Sequence, residues 1–275
     1  MRRKKSALAL ALLFGAALLL PPAFDVRLRT ATYRVETGRA GGTARLALLT
    51  DLHSCAYGSG QRELLGALAR AKPDLVLFGG DLFDDRIPPA AAMTVARAAA
   101  ARWPCFYVTG NHEVWSGRAE ALCADLAALG VTVLRGTSAE REIGALRLRL
   151  CGIDDPAAGR MDAQLAALAA RPDDGRFTVL LAHRPEHTAA YRAGGFDLVL
   201  AGHAHGGQWR IPFLLNGLLA PGQGLFPRYA GGLYDLGGGT RMVVSRGLAR
   251  ESTRVPRLFN RPELVIVTLH GTDAA

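Results

Sequence analysis

The stretch Asp74–Asp81, DLVLFGGD, decides the fold. Four consecutive apolar residues are followed by two glycines and a carboxylate. A run this short with no alternation reads as a strand buried on both faces, the pattern of a sheet covered on each side. The same unit recurs outward from it. RLALLTD (45–51) precedes it and ends in a carboxylate, and RELLGALARA (62–71) between them has helical spacing. After it come AAAMTVARAAAARW (90–103), helical, CFYVTGNHE (105–113), strand-like, and AEALCADLAALG (119–130), a helix closed by glycine. Strands alternating with helices predict an α/β fold. The second half continues with LRLRLCGID (146–154), FTVLLAH (177–183), DLVLAGH (197–203), RMVVSRG (241–247) and ELVIVTL (263–269), with fewer helices between. That change of rhythm predicts more antiparallel pairing and a second sheet. The Gly- and Pro-rich stretch 206–239 is too long for an idle loop, and loops of that length usually carry function.

Composition narrows the class. The chain has 275 residues, 49% of them hydrophobic, enough for a large core and against disorder. Its formal charge is +9, but four of the positive charges lie in the opening MRRKK and the others are scattered. A nucleic-acid footprint needs a concentrated basic stripe, so nucleic acid is not the expected partner. Residues 1–23 join that cationic cap to 14 uninterrupted small or apolar residues, Ala7 to Leu20. This fits a hydrophobic helix acting as an uncleaved signal anchor, or a cleaved signal peptide with export of the domain. As an anchor it makes a single-pass membrane protein with its N-terminus in the cytoplasm and the main domain outside. Residues 24–42 read as a linker with a first strand, and 43–275 as the catalytic domain. Cys55, Cys105, Cys123 and Cys151 show no metal-knuckle spacing; they read as small buried hydrophobes or, outside the cytoplasm, as partners for disulfides.

The chemistry gathers at the strand ends. Asp51 and His53 follow LALLT, Asp81 follows LVLFGG, Asn111 and His112 follow FYVTG, His183 follows TVLLA, and His203 and His205 follow LVLAG. Five of the seven histidines thus sit where ligand sites form in α/β sheets. Carboxylate, imidazole and amide without thiolate suit a borderline-hard divalent ion such as Mn²⁺, Fe²⁺ or Zn²⁺. Asp51, His53, Asp81, Asn111, His183, His203 and His205 are too many for one tetrahedral ion and match two ions sharing a bridging carboxylate.

The ordered blocks DLH, GDLFD, GNHE, AH and GHAH resemble the calcineurin-like metallophosphoesterases, and LAGHAHGGQWRIP and PRLFNRPELVIVTL resemble their membrane-associated YkuE/YaeI-like branch. The resemblance implies a four-layer α/β/β/α sandwich. It implies that Asp51, His53 and His205 bind one ion, that Asn111, His183 and His203 bind another, and that Asp81 bridges. It further implies that a hydroxide between the ions attacks phosphorus while His112 protonates or stabilises the leaving oxygen. Asp84 and Glu113 fill positions from which a carboxylate orients a ligating imidazole. The resemblance implies a phosphoester or pyrophosphate substrate, lipid-linked in the reading favoured by the leader; the apolar 206–239 stretch either walls the site, with Arg210 and Arg228 meeting phosphate or head-group oxygens, or covers the sheet edge as core. No obligate protein partner is implied. Rival readings are an inactive membrane-tethered binding protein, which would be expected to lose a ligand where none is missing, and a nuclease with the same metal centre.

Overall fold

The computed structural model describes residues 20–169, 175–250 and 255–272. Two six-stranded sheets form its body. The first has the order β1 (Arg29–Ala40), β14 (Glu263–Thr272), β2 (Thr43–Leu49), β3 (Leu75–Gly79), β4 (Cys105–Val108), β5 (Thr132–Val133). All its neighbours are parallel except β14 and β2. The second has the order β12 (Gly232–Gly237), β13 (Thr240–Val244), β9 (Leu198–Ala201), β8 (Phe177–Leu181), β7 (Leu146–Gly152), β6 (Thr137–Ile143). Its antiparallel pairs lie only at the two edges. The expected second sheet is present, but its centre is parallel because the connections β7–β8 and β8–β9 cross over through helices α5 (Met161–Leu168) and α6 (Thr188–Ala193).

Three apolar cores alternate with the two sheets. In β3, Leu75 and Leu77 enter the core between the sheets, whereas Val76 and Phe78 face the helices α1 (Arg62–Ala71), α2 (Ala90–Ala100) and α4 (Ala119–Ala128). A third core lies between β7, β8, β9, β13 and helices α5 and α6. The layers therefore run helix, sheet, sheet, helix. The strand β3 fills a core on both faces, which is why DLVLFGGD lacks alternation.

Four local expectations are refined. The strand in CFYVTGNHE stops at Val108, and Asn111–Trp115 forms a short helix, α3, because the Glu113 carboxylate accepts the Gly110 N–H and caps its start. The stretch 206–239 is not one loop: it contains the hairpin β10 (Leu219–Ala220) and β11 (Gly224–Leu225), then the edge strand β12. The four cysteines are buried, and burial pushes the Cys105 thiol up to about 12 and Cys123 up to about 11. Of the expected N-terminal hydrophobic helix, all but its last residues lies outside the described residues, among which no helix is long and apolar enough to cross a membrane.

Candidate metal centre

The parallel strands β2, β3, β4 of one sheet and β8, β9 of the other end at a common edge, and each delivers ligands there. The turns that aim them are tight. Asp51, His53, Asp81, His203 and His205 all hold positive φ, between 46° and 63°. Left-handed backbone at non-glycine residues costs free energy and clusters at functional sites. Gly80 (φ 87°) must be glycine for a second reason: a Cβ there would lie 2.5 Å from His183 Nδ1.

Two ligand sets emerge, joined through Asp81. Donor atoms of Asp51, His53 and His205 lie within 4.8 Å of one another, and so do those of Asp81, His183 and His203. Asp81 Oδ2 stands 3.6 Å from His53 Nε2 and 3.1 Å from His183 Nε2. The other oxygen of Asp81, Oδ1, accepts the His112 backbone N–H at 2.9 Å, which fixes the carboxylate and leaves Oδ2 open. Asp51 is held in the same way, accepting the His203 N–H.

The imidazoles are oriented from behind. His53 Nδ1 lies 3.2 Å from Asp84 Oδ2, and His183 Nδ1 donates to Gly79 O at 2.9 Å, so each presents Nε2 to the centre. Asp84 thus stands behind the ring of a candidate ligand. Glu113 has a different one: its carboxylate accepts the backbone N–H groups of Asp81, Phe83 and Gly110, tying two motif loops together rather than orienting an imidazole. His112 is half-exposed at the rim, and its Nδ1 meets Asp85 Oδ1 at 2.7 Å.

The fit to metal is tested by the atoms without partners. His53 Nε2, Asp81 Oδ2, Asn111 Oδ1, His183 Nε2, His203 Nε2 and His205 Nδ1 are all buried with no hydrogen-bond partner. Orphaned buried polar atoms are costly, and six drawn from a single ligand set are what a coordination site requires. The charges agree. Burial pushes Asp81 up, but His183, His53 and His112 outweigh it and hold it well below the carboxylate range. Burial, assisted by Asp81, raises Asp51 against the pull of His183. Burial, with the charge of His183, holds His203 down at about 2, and burial lowers His205 as well, so both are neutral as ligands must be.

The two arginines expected to meet substrate are not brought to this cluster. Arg210 is buried, and its guanidinium donates to Gly206 O and to Asn216 Oδ1. Arg228 lies 5.4 Å from the ring of Tyr229, beside Arg192 and Asp235. Arg210 instead lines a second cavity, with Arg29 and Arg246. Three residues were missed. Asp85 holds His112. Asn260 Nδ2 donates to His205 O at 2.7 Å and fixes that turn. Arg257 donates to Ala249 O, clamping the segment whose Gly247 packs on Asp51. The block PRLFNRPELVIVTL carries the last two, and its place far from the metal motifs concealed them.

The sequence profile of the calcineurin-like phosphoesterases matches residues 44–207, which is more than half of the chain and spans all the ligands. The chain belongs to the calcineurin-like phosphoesterase family. It is 33% identical over 231 residues to the phosphodiesterase YaeI of Escherichia coli, covering 82% of each. It is 27% identical to an uncharacterized metallophosphoesterase, YkuE, of Bacillus subtilis, covering 83% of this chain and 80% of that one. Against an uncharacterized metallophosphoesterase of Campylobacter jejuni it is 29% identical, covering 82% of this chain but only 59% of the relative's length. Among solved structures, the Thermus thermophilus sulfate thiohydrolase SoxB superposes with a TM-score of 0.50 at 16% identity, over 83% of this chain and 57% of that one; this likeness speaks to fold alone. This metallophosphoesterase is therefore a metal-dependent hydrolase with its candidate ligands assembled.

Proposed function

We propose that this phosphoesterase holds two divalent ions, Mn²⁺ by preference, and cleaves a phosphodiester or pyrophosphate bond in a lipid-linked substrate. The position of Asp81 Oδ2 between His53 Nε2 and His183 Nε2 carries the reading, since one orphaned oxygen faces both ligand sets. Asp51, His53 and His205 would hold one ion and Asn111, His183 and His203 the other, with Asp81 shared. When bound, two such ions neutralise phosphate oxygens and make water acidic enough to attack phosphorus near neutral pH. His112 stands at the rim with Nδ1 on Asp85, which leaves Nε2 to give its proton to the leaving oxygen as the P–O bond breaks.

The lipid link is supported by the hairpin β10–β11. It stands beside the turn that carries His205, and its Gly222 packs on the Glu186 carboxylate, three residues beyond His183. Leu219, Leu225 and Phe226 are 53%, 66% and 66% exposed, so they do not serve as core. An apolar rim beside a phosphate site suits an amphiphile, and the leader would keep the domain at the outer face of the membrane that holds such a substrate. The test uses the full chain, stripped by chelator and reloaded with Mn²⁺, against phosphomonoesters, water-soluble diesters and lipid pyrophosphates. Metal-dependent cleavage with the highest kcat/KM on the lipid pyrophosphate is expected; cleavage that needs no metal would overturn the reading.

A further inference from the structure

Away from the metal centre, a cavity of about 500 Å³ opens between the turn 209–216 and the edge of the first sheet. Arg29, Arg210 and Arg246 line it, together with Phe213, Leu214 and Phe259. Three guanidiniums here face one carboxylate, that of buried Glu263, which lies 3.5 Å from Arg29 Nε and 3.7 Å from Arg246 Nε. Arg246 Nε and Glu263 Oε2 are buried without a hydrogen-bond partner. Burial and the charge of Arg246 hold the Arg210 guanidinium down at about 10, so the cluster is short of negative charge.

The rim is apolar and fixed. Phe213 is fully exposed, Leu214 is 85% exposed, and Ile211 and Trp209 are also exposed. The turn that displays them is closed by backbone bonds between Ile211 and Leu215, and Trp209 Nε1 donates to Pro256 O at 2.9 Å. Adjacent Phe and Leu side chains held out on a rigid tip have no role in the core.

The leader reaches the described body at this same place. Ala23 O accepts the backbone N–H of Phe259, a wall of the cavity, and Leu20 and Phe24 are exposed beside it. The 14-residue apolar run Ala7–Leu20 thus joins the domain next to the tip and the arginines.

We infer that this face docks on the bilayer, with Phe213 and Leu214 in the acyl boundary and the phosphate of an anionic phospholipid in the Arg29–Arg210–Arg246 cavity. Guanidinium clusters match phosphate oxygens, and paired apolar and cationic groups favour anionic membrane surfaces. Arg210 also donates to Gly206 O, beside the ligand His205, so docking would set the orientation of the metal centre over the membrane. The inference rests on the proposed tether by the leader.

The full chain, carrying Phe213→Cys labelled with an environment-sensitive fluorophore, is placed in nanodiscs of phosphatidylcholine with or without phosphatidylglycerol. An Asp125→Cys label on exposed helix α4 serves as the control. In discs with phosphatidylglycerol, the Phe213 probe should shift to the blue and lose more than half its emission to spin-labelled lipid; the control should do neither. In Arg29→Gln/Arg246→Gln the shift should diminish. Should that variant fail to fold, hydrogen exchange of segment 209–216 in the unaltered chain gives the same reading, with slower exchange expected only in anionic discs. A Phe213 probe that stays in water, or insertion and exchange indifferent to phosphatidylglycerol, would overturn the inference. Absence of the chain from the disc fraction would overturn it together with the tether. Mn²⁺-dependent cleavage of a water-soluble diester is unaffected by any of these results, so failure of the docking face is distinguishable from failure of the metal chemistry.

Discussion

Asp85 Oδ1 lies 2.7 Å from His112 Nδ1, while Asp84 Oδ2, one residue earlier in the chain, lies 3.2 Å from His53 Nδ1. Two adjacent carboxylates thus serve two histidines with different tasks. In the proposed reaction Asp84 would turn a ligand toward the metals, and Asp85 would turn the rim imidazole toward substrate. His112→Ala should keep its metals and lose about 10²–10⁴-fold in kcat, most on esters with poor leaving groups. Asp85→Asn should lose less, with the same leaving-group dependence. Kinetics across a series of aryl phosphodiesters checks both, and an equal loss on every leaving group would mean that His112 only positions the phosphate.

Asp84→Asn should instead weaken metal binding, by about 10–100-fold in Mn²⁺ affinity, because His53 loses its fixed orientation. Isothermal titration with Mn²⁺ measures this. The same residue sets an acid limb of stability. Burial raises the Asp84 carboxyl, but the bond with His53 and the N–H groups of Arg86 and Ile87 outweigh it and bring it down to about 2. A carboxylate with a depressed folded pKa contributes stability above its ordinary value, 3.8, and loses it as pH falls toward about 2. Denaturant titrations of the metal-free protein across that window should show the loss in the unaltered chain and a flatter dependence in Asp84→Asn.

Glu113→Ala leaves the N–H groups of Asp81, Phe83 and Gly110 buried without an acceptor. At about 1–3 kcal/mol for each buried unsatisfied group, a loss of about 3 kcal/mol or more is expected. A thermal melt of the metal-free protein reads it, and an unchanged Tm would show that water replaces the carboxylate.

How much of this was legible in the sequence depends on how local the cause is. The run Leu75–Phe78 and the candidate ligands behind each strand stand out in the sequence, because burial on two faces suppresses alternation and the motifs are contiguous. The parallel partnership of β1 with β14 does not, since Thr30 pairs with Leu264 across almost the whole chain. The division of labour between Asp84 and Asp85 was equally hidden: both lie in one turn, and only the packed positions of His53 and His112 distinguish them. The placement of Arg210 was hidden too, because its hydrogen bonds to Gly206 and Asn216 form only once the turn 209–216 is closed.

The rim hairpin offers a test of substrate class. Leu219→Ser/Leu225→Ser/Phe226→Ser changes only exposed side chains, so folding should be preserved. With kcat/KM compared on a water-soluble diester and a lipid pyrophosphate, a selective loss on the lipid substrate is expected. An equal loss on both would remove the lipid link from the proposed function.

Asp81 is where the two ligand sets meet, and its replacement tests the dinuclear centre most directly. Metal analysis of Asp81→Ala, beside the unaltered chain loaded with Mn²⁺, should show two ions per chain in the unaltered protein, fewer in the variant, and loss of metal-dependent hydrolysis. Full metal content with near-normal turnover in Asp81→Ala would contradict a shared bridge.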